Sequence, residues 1–236
     1  MAKVSGLGTR LWSHGYDLSG DTSSLDGAGY TQEMLDVTTL DKAASARLAG
    51  LSDGSLTVNG WFDSATSHAA YLDSSKLPTD DQVVFVQLGT ALGDPFAGMT
   101  AKEATYDVNR TSGSALATVS TFQSTAGNQV DFGVCLTAST TTSASAGNGT
   151  TVDNSASSAS GCVVYLEVSS LASGSCTVKL QGSTNDSTWT DHGSFTAVTG
   201  RTAERIEVSG TIKRYLRWNT SGTFSNLVFV MGVARL

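Results

Sequence analysis

The side chains with the chemistry for catalysis are few and scattered in this sequence. They comprise three histidines and three cysteines, His14, His68, His192, Cys135, Cys162 and Cys176. None of them belongs to a known nucleophile, metalloprotease or nucleotide-binding motif. The odd number of cysteines and their spacings of 27 and 14 residues fit neither a disulfide framework nor a zinc knuckle. We therefore expect buried thiols, and no catalytic residue, metal site, cofactor or enzymatic activity.

Two groups of acidic residues have side chains of the kind found in catalytic or metal-binding pairs. Asp80 and Asp81 are adjacent, and neighbouring side chains of an extended chain point to opposite faces. They therefore do not flank one bond as a glycosidase pair would. Asn185, Asp186 and Asp191 lack the alternating ligand set of a calcium loop. Both groups are predicted to be solvated turns.

Aromatic residues of the second half raise the question of sugar binding. β-Sandwiches that bind sugars present Trp and Tyr from loops or from one sheet face, and Trp189, Tyr215 and Trp218 have suitable positions. Tyr215 and Trp218 are three residues apart, so a regular strand places them on opposite faces. Trp189 and Trp218 remain candidate glycan contacts, with packing in the core or at an interface as the alternative.

The composition indicates that these residues are carried by β-strands. The chain of 236 residues contains 33 Ser, 31 Thr, 25 Gly and only 2 Pro, and its charged fraction of 15% is well below the usual value of about 25%. In the first half, strands are predicted over 55–63, 82–89, 100–110 and 115–123. Short helices are predicted over 42–49, after an N-cap at Asp41, and over 66–73. No βαβ spacing occurs, so the sheet is predicted to be antiparallel.

The second half reads as a regular series of short strands with turns every 8–16 residues. This pattern is typical of an all-β sandwich or jelly roll. The hydroxyl-rich stretch 137–160 fits either a flexible linker or edge strands of the sandwich. The sequence thus predicts an all-β, antiparallel chain with one or two short helices and two domains, 1–128 and 129–236.

Charge is distributed unevenly between these two domains. Residues 1–128 contain 14 acidic and 7 basic side chains, a net charge of −7, whereas residues 129–236 contain 7 of each. No basic stripe that would bind nucleic acid is present. Either the two halves have different partners, or the excess acid serves solubility alone. No apolar run approaches the length of a membrane-spanning helix, and no secretory signal is seen, so we expect folding in a cytosol and no membrane partner.

The first half resembles the tail tube, or major tail, proteins of long-tailed bacteriophages. The resemblance is carried by residues 36–63, which include Gly50-Leu51-Ser52-Asp53-Gly54 leading into a strand. His68 to Leu72, Gly89-Thr90 and Tyr106-Asp107 extend it. The family pattern is a short helical turn, a strand entered through Gly-Leu-x-Asp-Gly, and a helix packed on a small β-barrel. The second half, through residues 178–190, 213–217 and 222–224, resembles the galactose-binding-like or jelly-roll decoration domains of phage structural proteins.

The resemblance implies a structural protein of the virion tail, assembled in the host cytoplasm. Tail tube subunits form stacked rings, commonly six-fold, and contact one another, other tail proteins and the genomic DNA that passes through without specific binding. An acidic lumen keeps DNA from adhering, and the candidate lumen-lining acids are Asp53, Asp63, Glu103 and Asp107. The alternative is a capsid-decorating or adhesion protein that binds host surface glycans.

Overall fold

The computed structural model describes residues 6–63, 80–110, 113–125 and 129–236, and within these ranges all of the regular secondary structure is β-strand. All paired strands are antiparallel and belong to one continuous 15-stranded sheet. The prediction of an all-β, antiparallel fold is confirmed. The strands are β1 Arg10–Ser13, β2 Tyr16–Asp17, β3 Thr22–Asp36, β4 Arg47–Trp61, β5 Gln82–Gln87, β6 Pro95–Asn109, β7 Ala117–Ser124, β8 Asp131–Cys135, β9 Thr141–Ser143, β10 Gly147–Asn148, β11 Val152–Asp153, β12 Cys162–Ser183, β13 Thr190–Ser194, β14 Thr202–Val208 and β15 Tyr215–Arg235.

The helix predicted over 42–49 is wrong. The chain turns at residues 40–44, and β4 starts at Arg47, which pairs with Asp36 of β3. Val37 N–H donates to the carbonyl of Ala46 at 2.9 Å and closes the hairpin. Eight residues form too few turns to be a stable helix without tertiary packing, so the hairpin ladder prevails. The second predicted helix, 66–73, lies outside the described residues.

The strands of the first half form a sandwich around their own core. β1, β5 and the beginning of β6 make one layer, while β3, β4 and β7 make the layer that faces it. β6 belongs to both layers because it is long: its first part pairs with β5 and its second part with β7. The core between the layers is formed by Leu11, Leu18, Leu56, Val58, Val84, Val86, Ala97, Met99, Ala101, Phe122 and Val130.

Two long strands, β12 and β15, organise the second half. They pair along their whole length, from Cys162 opposite Arg235 to Ser183 opposite Tyr215. The short strands β9, β10 and β11 lie along β15, whereas β13 and β14 lie along β12. Of the two alternatives for the stretch 137–160, the structure therefore has edge strands. Seventeen buried side chains, including Val164, Leu180 and Phe229, fill the core.

A third core joins the two halves. It contains Trp12, Val83, Phe85, Phe96, Cys135, Val163, Tyr165, Val230 and Ala234, drawn from both sides of the expected boundary. Strand β8 makes the sheet continuous because it pairs with both β6 and β15. The boundary at residue 128 falls between β7 and β8 and remains a prediction. No helix of the described residues is long and apolar enough to span a membrane.

Candidate assembly surfaces

The most exposed feature of the described chain is a hairpin formed by the distal parts of β3 and β4. β4 pairs with β7 only from Ser55 to Trp61, whereas its pairing with β3 continues to Arg47. Residues 29–53 therefore extend past the sandwich as a two-stranded ribbon, which we call the arm. The glycine at position 27, with φ of +73°, lies at a bulge between Asp26 and Gly29, where the ribbon leaves the sandwich.

Large apolar side chains of the arm are exposed to solvent. Leu51 retains 83% of its accessible surface and Met34 retains 60%. The full set is Tyr30, Met34, Leu35, Val37, Leu40, Leu48 and Leu51. Several exposed apolar side chains on a projecting ribbon are a marker of a protein–protein contact or an aggregation hazard.

Polar contacts at the tip hold the arm in one shape. The Asp36 carboxylate accepts hydrogen bonds from the side-chain hydroxyl and main-chain N–H of Thr38, at 2.5 and 2.9 Å. These two bonds lower the pKa of Asp36. The Thr38 hydroxyl in turn accepts from Ala46 N–H at 2.8 Å. The arm tip is therefore ordered by its own hydrogen bonds, which leaves its apolar side chains available for another molecule.

The four acids predicted to line a channel are not brought together. Asp107 lies on the outer, solvent-facing side of the β4–β7–β6 layer. Asp53 lies on the continuation of that side at the base of the arm, and Asp63 is exposed beyond the end of β4. Ser124 donates to Asp53 at 3.3 Å. Glu103 differs from them because it is only 2% exposed and lies on the core side of the layer.

An acid that the sequence analysis missed shares the outer face with Asp53 and Asp107. Asp26 of β3 accepts a 2.7 Å hydrogen bond from the Asn59 amide, and Ser24 accepts a second from the same amide. The remaining side chains of this face are mainly hydroxyls and amides, among them Thr57 and Thr121, which are opposite each other. The face is thus polar and weakly acidic. The register between β3 and β4 is what assigns Asp26 to this face. The sequence of β3 alone does not give that register.

The two tryptophans predicted as glycan contacts lie on different sides of the second-half sheet. Trp218 pairs with Leu180 and packs edge-on against Phe229 at 5.3 Å between ring centroids. It therefore belongs to the core side. Trp189 lies under the guanidinium of Arg217, which is 4.1 Å from the ring centroid. A shared aromatic platform is absent.

A row of hydrogen-bonded polar side chains crosses the outer side of the same sheet next to Trp189. Arg217 donates to the side-chain oxygen of Gln181 at 2.9 and 3.0 Å, and the side-chain nitrogen of Gln181 donates to Asp191 at 2.8 Å. Lys179 also contacts Asp191, at 2.7 Å. We call this the polar face. Its members are Lys179, Gln181, Asp191, Arg217, Asn219 and Asn148.

The thiols and His192 lie in apolar or half-buried surroundings in the described part of the chain. Burial raises the pKa of the Cys135 and Cys162 thiols to about 12, so neither is a thiolate at neutral pH. Burial, with Lys213 and Arg235 nearby, lowers the pKa of His192. Within the described ranges, no group of three or more His, Cys, Asp or Glu side chains converges to hold a metal ion.

The acidic residues that resemble catalytic or metal-binding pairs in the sequence lie in turns or form ion pairs with basic side chains. Asp81 forms a 2.8 Å ion pair with Lys102. The Asn185 side chain accepts hydrogen bonds from the main-chain N–H of Ser187 and Thr188 and so closes the β12–β13 turn. At that turn Asp186 has φ of +56°, a conformation that Asp tolerates better than most residues.

Comparison with known proteins found similarity only among solved structures. No family model and no curated protein sequence matches the chain. A chain of the native gene transfer agent virion is 13% identical, with 55% of this chain and 98% of that chain covered and a TM-score of 0.42. The tube terminating cap of the anti-feeding prophage is 10% identical, with 57% and 93% covered and a TM-score of 0.46.

A third similar structure covers nearly the whole chain. It is SPP1 Dit, described as a hub of the adsorption apparatus in phages that infect Gram-positive bacteria. It is 10% identical, with 98% of this chain and 99% of that chain covered and a TM-score of 0.39. At TM-scores below 0.5, these likenesses do not establish what this chain does.

Proposed function

We propose that this chain is a structural subunit of a phage tail tube that assembles with copies of itself into stacked rings around a channel for DNA. The observation that carries the proposal is the arm, whose apolar side chains are exposed in the isolated chain. A heterologous contact between the arm of one copy and the body of the next generates a ring or an open filament. The arm is therefore the element through which copies associate.

Charge supports the placement of the first half around the channel. The whole net charge of −7 lies in residues 1–128. Asp26, Asp53 and Asp107 lie on an outer face whose other described side chains are mainly hydroxyls and amides. Lys102 lies on this face as well, but it is ion-paired with Asp81 at 2.8 Å. Such a surface repels the DNA phosphates weakly. DNA would pass along it without specific binding.

Electron microscopy of a variant with substitutions in the arm, which we call the arm variant, tests this function. In the variant Leu35→Ser/Leu48→Ser, both partners of one cross-strand pair of the arm are replaced. Burial of one leucine is worth about 1.5–3 kcal/mol, so we expect association to weaken at least tenfold. Negative-stain images should show rings or tubes for the wild type and dispersed subunits for the variant.

The control for this experiment is Leu236→Ser, which removes a leucine that is also exposed, at 61% against 45% for Leu35 and 58% for Leu48, and that is far from the arm in sequence. It should assemble like the wild type, and circular dichroism should show unchanged β-structure in both variants. A wild-type chain that remains monomeric at all concentrations would contradict the proposal. So would an arm variant that assembles normally.

A second candidate function, glycan recognition by an adhesion or decoration protein, is favoured by the polar face. Its amide, carboxylate and guanidinium groups are displayed across adjacent strands beside the Trp189 ring, an arrangement suited to saccharide hydroxyls. If this function holds, a glycan array should show a defined ligand that is lost in Trp189→Ala and retained in Tyr30→Ala, a matched aromatic change on the arm. An array without any specific ligand would contradict glycan recognition and leave the tail tube proposal as the remaining candidate function.

A further inference from the structure

A buried carboxylate of the first half has an oxygen atom with no hydrogen-bond partner. Glu103 is 2% exposed, and within the described residues nothing donates to its Oε2 atom. The Ser120 hydroxyl bonds to the same carboxylate. An ionised carboxylate in the interior is costly unless its oxygens are satisfied by donors or by a cation. The unpaired oxygen therefore points to a missing ligand.

The space next to Glu103 has the size of one small particle and is rich in oxygen atoms. The recess has a volume of about 20 Å³, enough for a single water molecule or ion. Leu18, Val58 and Phe122 form its apolar wall. The polar residues that line it are Asp21, Thr22, Glu103, Tyr106, Thr118 and Ser120.

The recess exists because residue 60 is a glycine. A Cβ atom at Gly60 would lie 2.5 Å from the main-chain oxygen of Asp21 and 3.1 Å from the Thr118 hydroxyl oxygen. These two oxygens therefore approach the same point next to the Gly60 main chain. Any side chain at position 60 would displace them.

We propose that this recess binds a single calcium ion, with the Glu103 carboxylate as its charged ligand and the main-chain oxygen of Asp21 and the Thr118 hydroxyl among its neutral ligands. Calcium takes six to eight oxygen ligands in flexible geometry, and carboxylate, hydroxyl and carbonyl oxygens are the groups present here. Among the described residues that line the recess there is no histidine or cysteine, so a transition metal is not favoured. The Glu103 carboxylate offsets part of the charge of the ion, and neutral oxygens complete its coordination.

Thermal unfolding of the full chain with calcium or EDTA tests the site. At a calcium concentration about a hundredfold above Kd, the wild-type Tm should rise by roughly 5–10 °C at pH 8. Glu103→Gln keeps the size of the side chain but removes the charge, and should lose the calcium-dependent rise. The control Asp107→Asn changes an exposed acid of the same strand and should keep it.

Terbium luminescence gives a readout that does not depend on a variant that folds. Tb³⁺ replaces calcium and is sensitised by nearby tyrosine, so wild-type protein should show emission excited through Tyr106 that calcium displaces. Emission should fall at least fivefold in Tyr106→Phe. The proposal fails if calcium shifts neither Tm nor the terbium signal of the wild type, or if Glu103→Gln responds as the wild type does.

Discussion

At the scale of single residues, Glu103 shows where the sequence was informative and where it was not. Glu103 and Asp107 are four residues apart in β6, so a regular strand would place both on one face. A bulge between Glu103 and Thr105 shifts the register against β7. The bulge moves Glu103 to the core side and leaves Asp107 on the outer face. Alternation identified two acids on a strand but not the bulge, because a bulge depends on the partner strand.

The burial of Glu103 makes the free energy of unfolding depend on pH. Its pKa is raised from 4.5 to about 7 in the folded chain, so between these values the native state binds more protons than the unfolded state. Stability from this group is therefore greatest below about pH 4.5. It falls as the pH rises, and the loss is complete above about pH 7.

Urea unfolding at several pH values in EDTA measures this effect. The loss attributable to Glu103 between pH 5 and pH 8 should be of order 3 kcal/mol in the wild type. Glu103→Gln should remove this slope, and the variant should be more stable than the wild type at pH 8. Equal slopes in the two proteins would show that Glu103 does not titrate in this range.

At the scale of elements, the sequence located most strands but divided the two longest. In the sequence, the runs 162–168 and 176–181 read as two short strands of the second-half series, separated by a turn at Ser173-Gly174. In the structure, β12 continues through both runs. Gly174 has φ of +87°, and a Cβ there would lie 2.1 Å from the oxygen of Thr223. Gly222 on β15 plays the same part with φ of +110°. At these glycines the two paired strands continue rather than end. The sequence of one strand alone does not show this, because it depends on the pairing with the other strand.

The arm was harder to predict, for a related reason. Helix-forming residues from Lys42 to Ala49 indicated a helix, and local propensity is a weak signal when a hairpin ladder competes. The exposure of Leu35 and Leu48 depends on how far β7 pairs along β4, and that pairing ends at Ser55. Sequence alternation gives the side on which a residue lies but not whether another strand reaches it.

At the scale of the whole molecule, the contacts between the halves are those of an interior. Phe85 and Phe96 of the first half stack at 4.6 Å between centroids, and Tyr165 of the second half packs edge-on against Phe96 at 5.6 Å. The Tyr165 hydroxyl donates to Asp131 at 2.5 Å and accepts from Arg205 at 3.1 Å. The Tyr165 hydroxyl therefore has both an acceptor and a donor as hydrogen-bond partners. The aromatic cluster stabilises the junction between the halves without leaving this buried hydroxyl unpaired.

A second set of contacts fixes the β1–β2 turn against the second half. Gly15 N–H donates to the buried carboxylate of Glu167 at 2.5 Å. Arg201 lies over the Tyr16 ring at 4.0 Å from its centroid. A Cβ at Gly15 would lie 2.6 Å from the main-chain oxygen of Val168, so the turn accepts no other residue without moving. The two halves are therefore positioned rigidly by contacts at both edges of the shared core.

Because the halves share this core, we expect the full chain to unfold in one transition even though each half also has a core of its own. Phe85→Ala removes a buried ring from the shared core and should cost about 3–5 kcal/mol. Hydrogen exchange should report the same loss of protection in β7 of the first half and in β12 of the second, since opening either half exposes the shared core. Val58→Ala, within the first-half core only, should lower protection in both halves too if unfolding is one event. Loss confined to the first half in that variant would instead mean that the halves unfold separately, and the boundary predicted at residue 128 would then mark two independently stable domains.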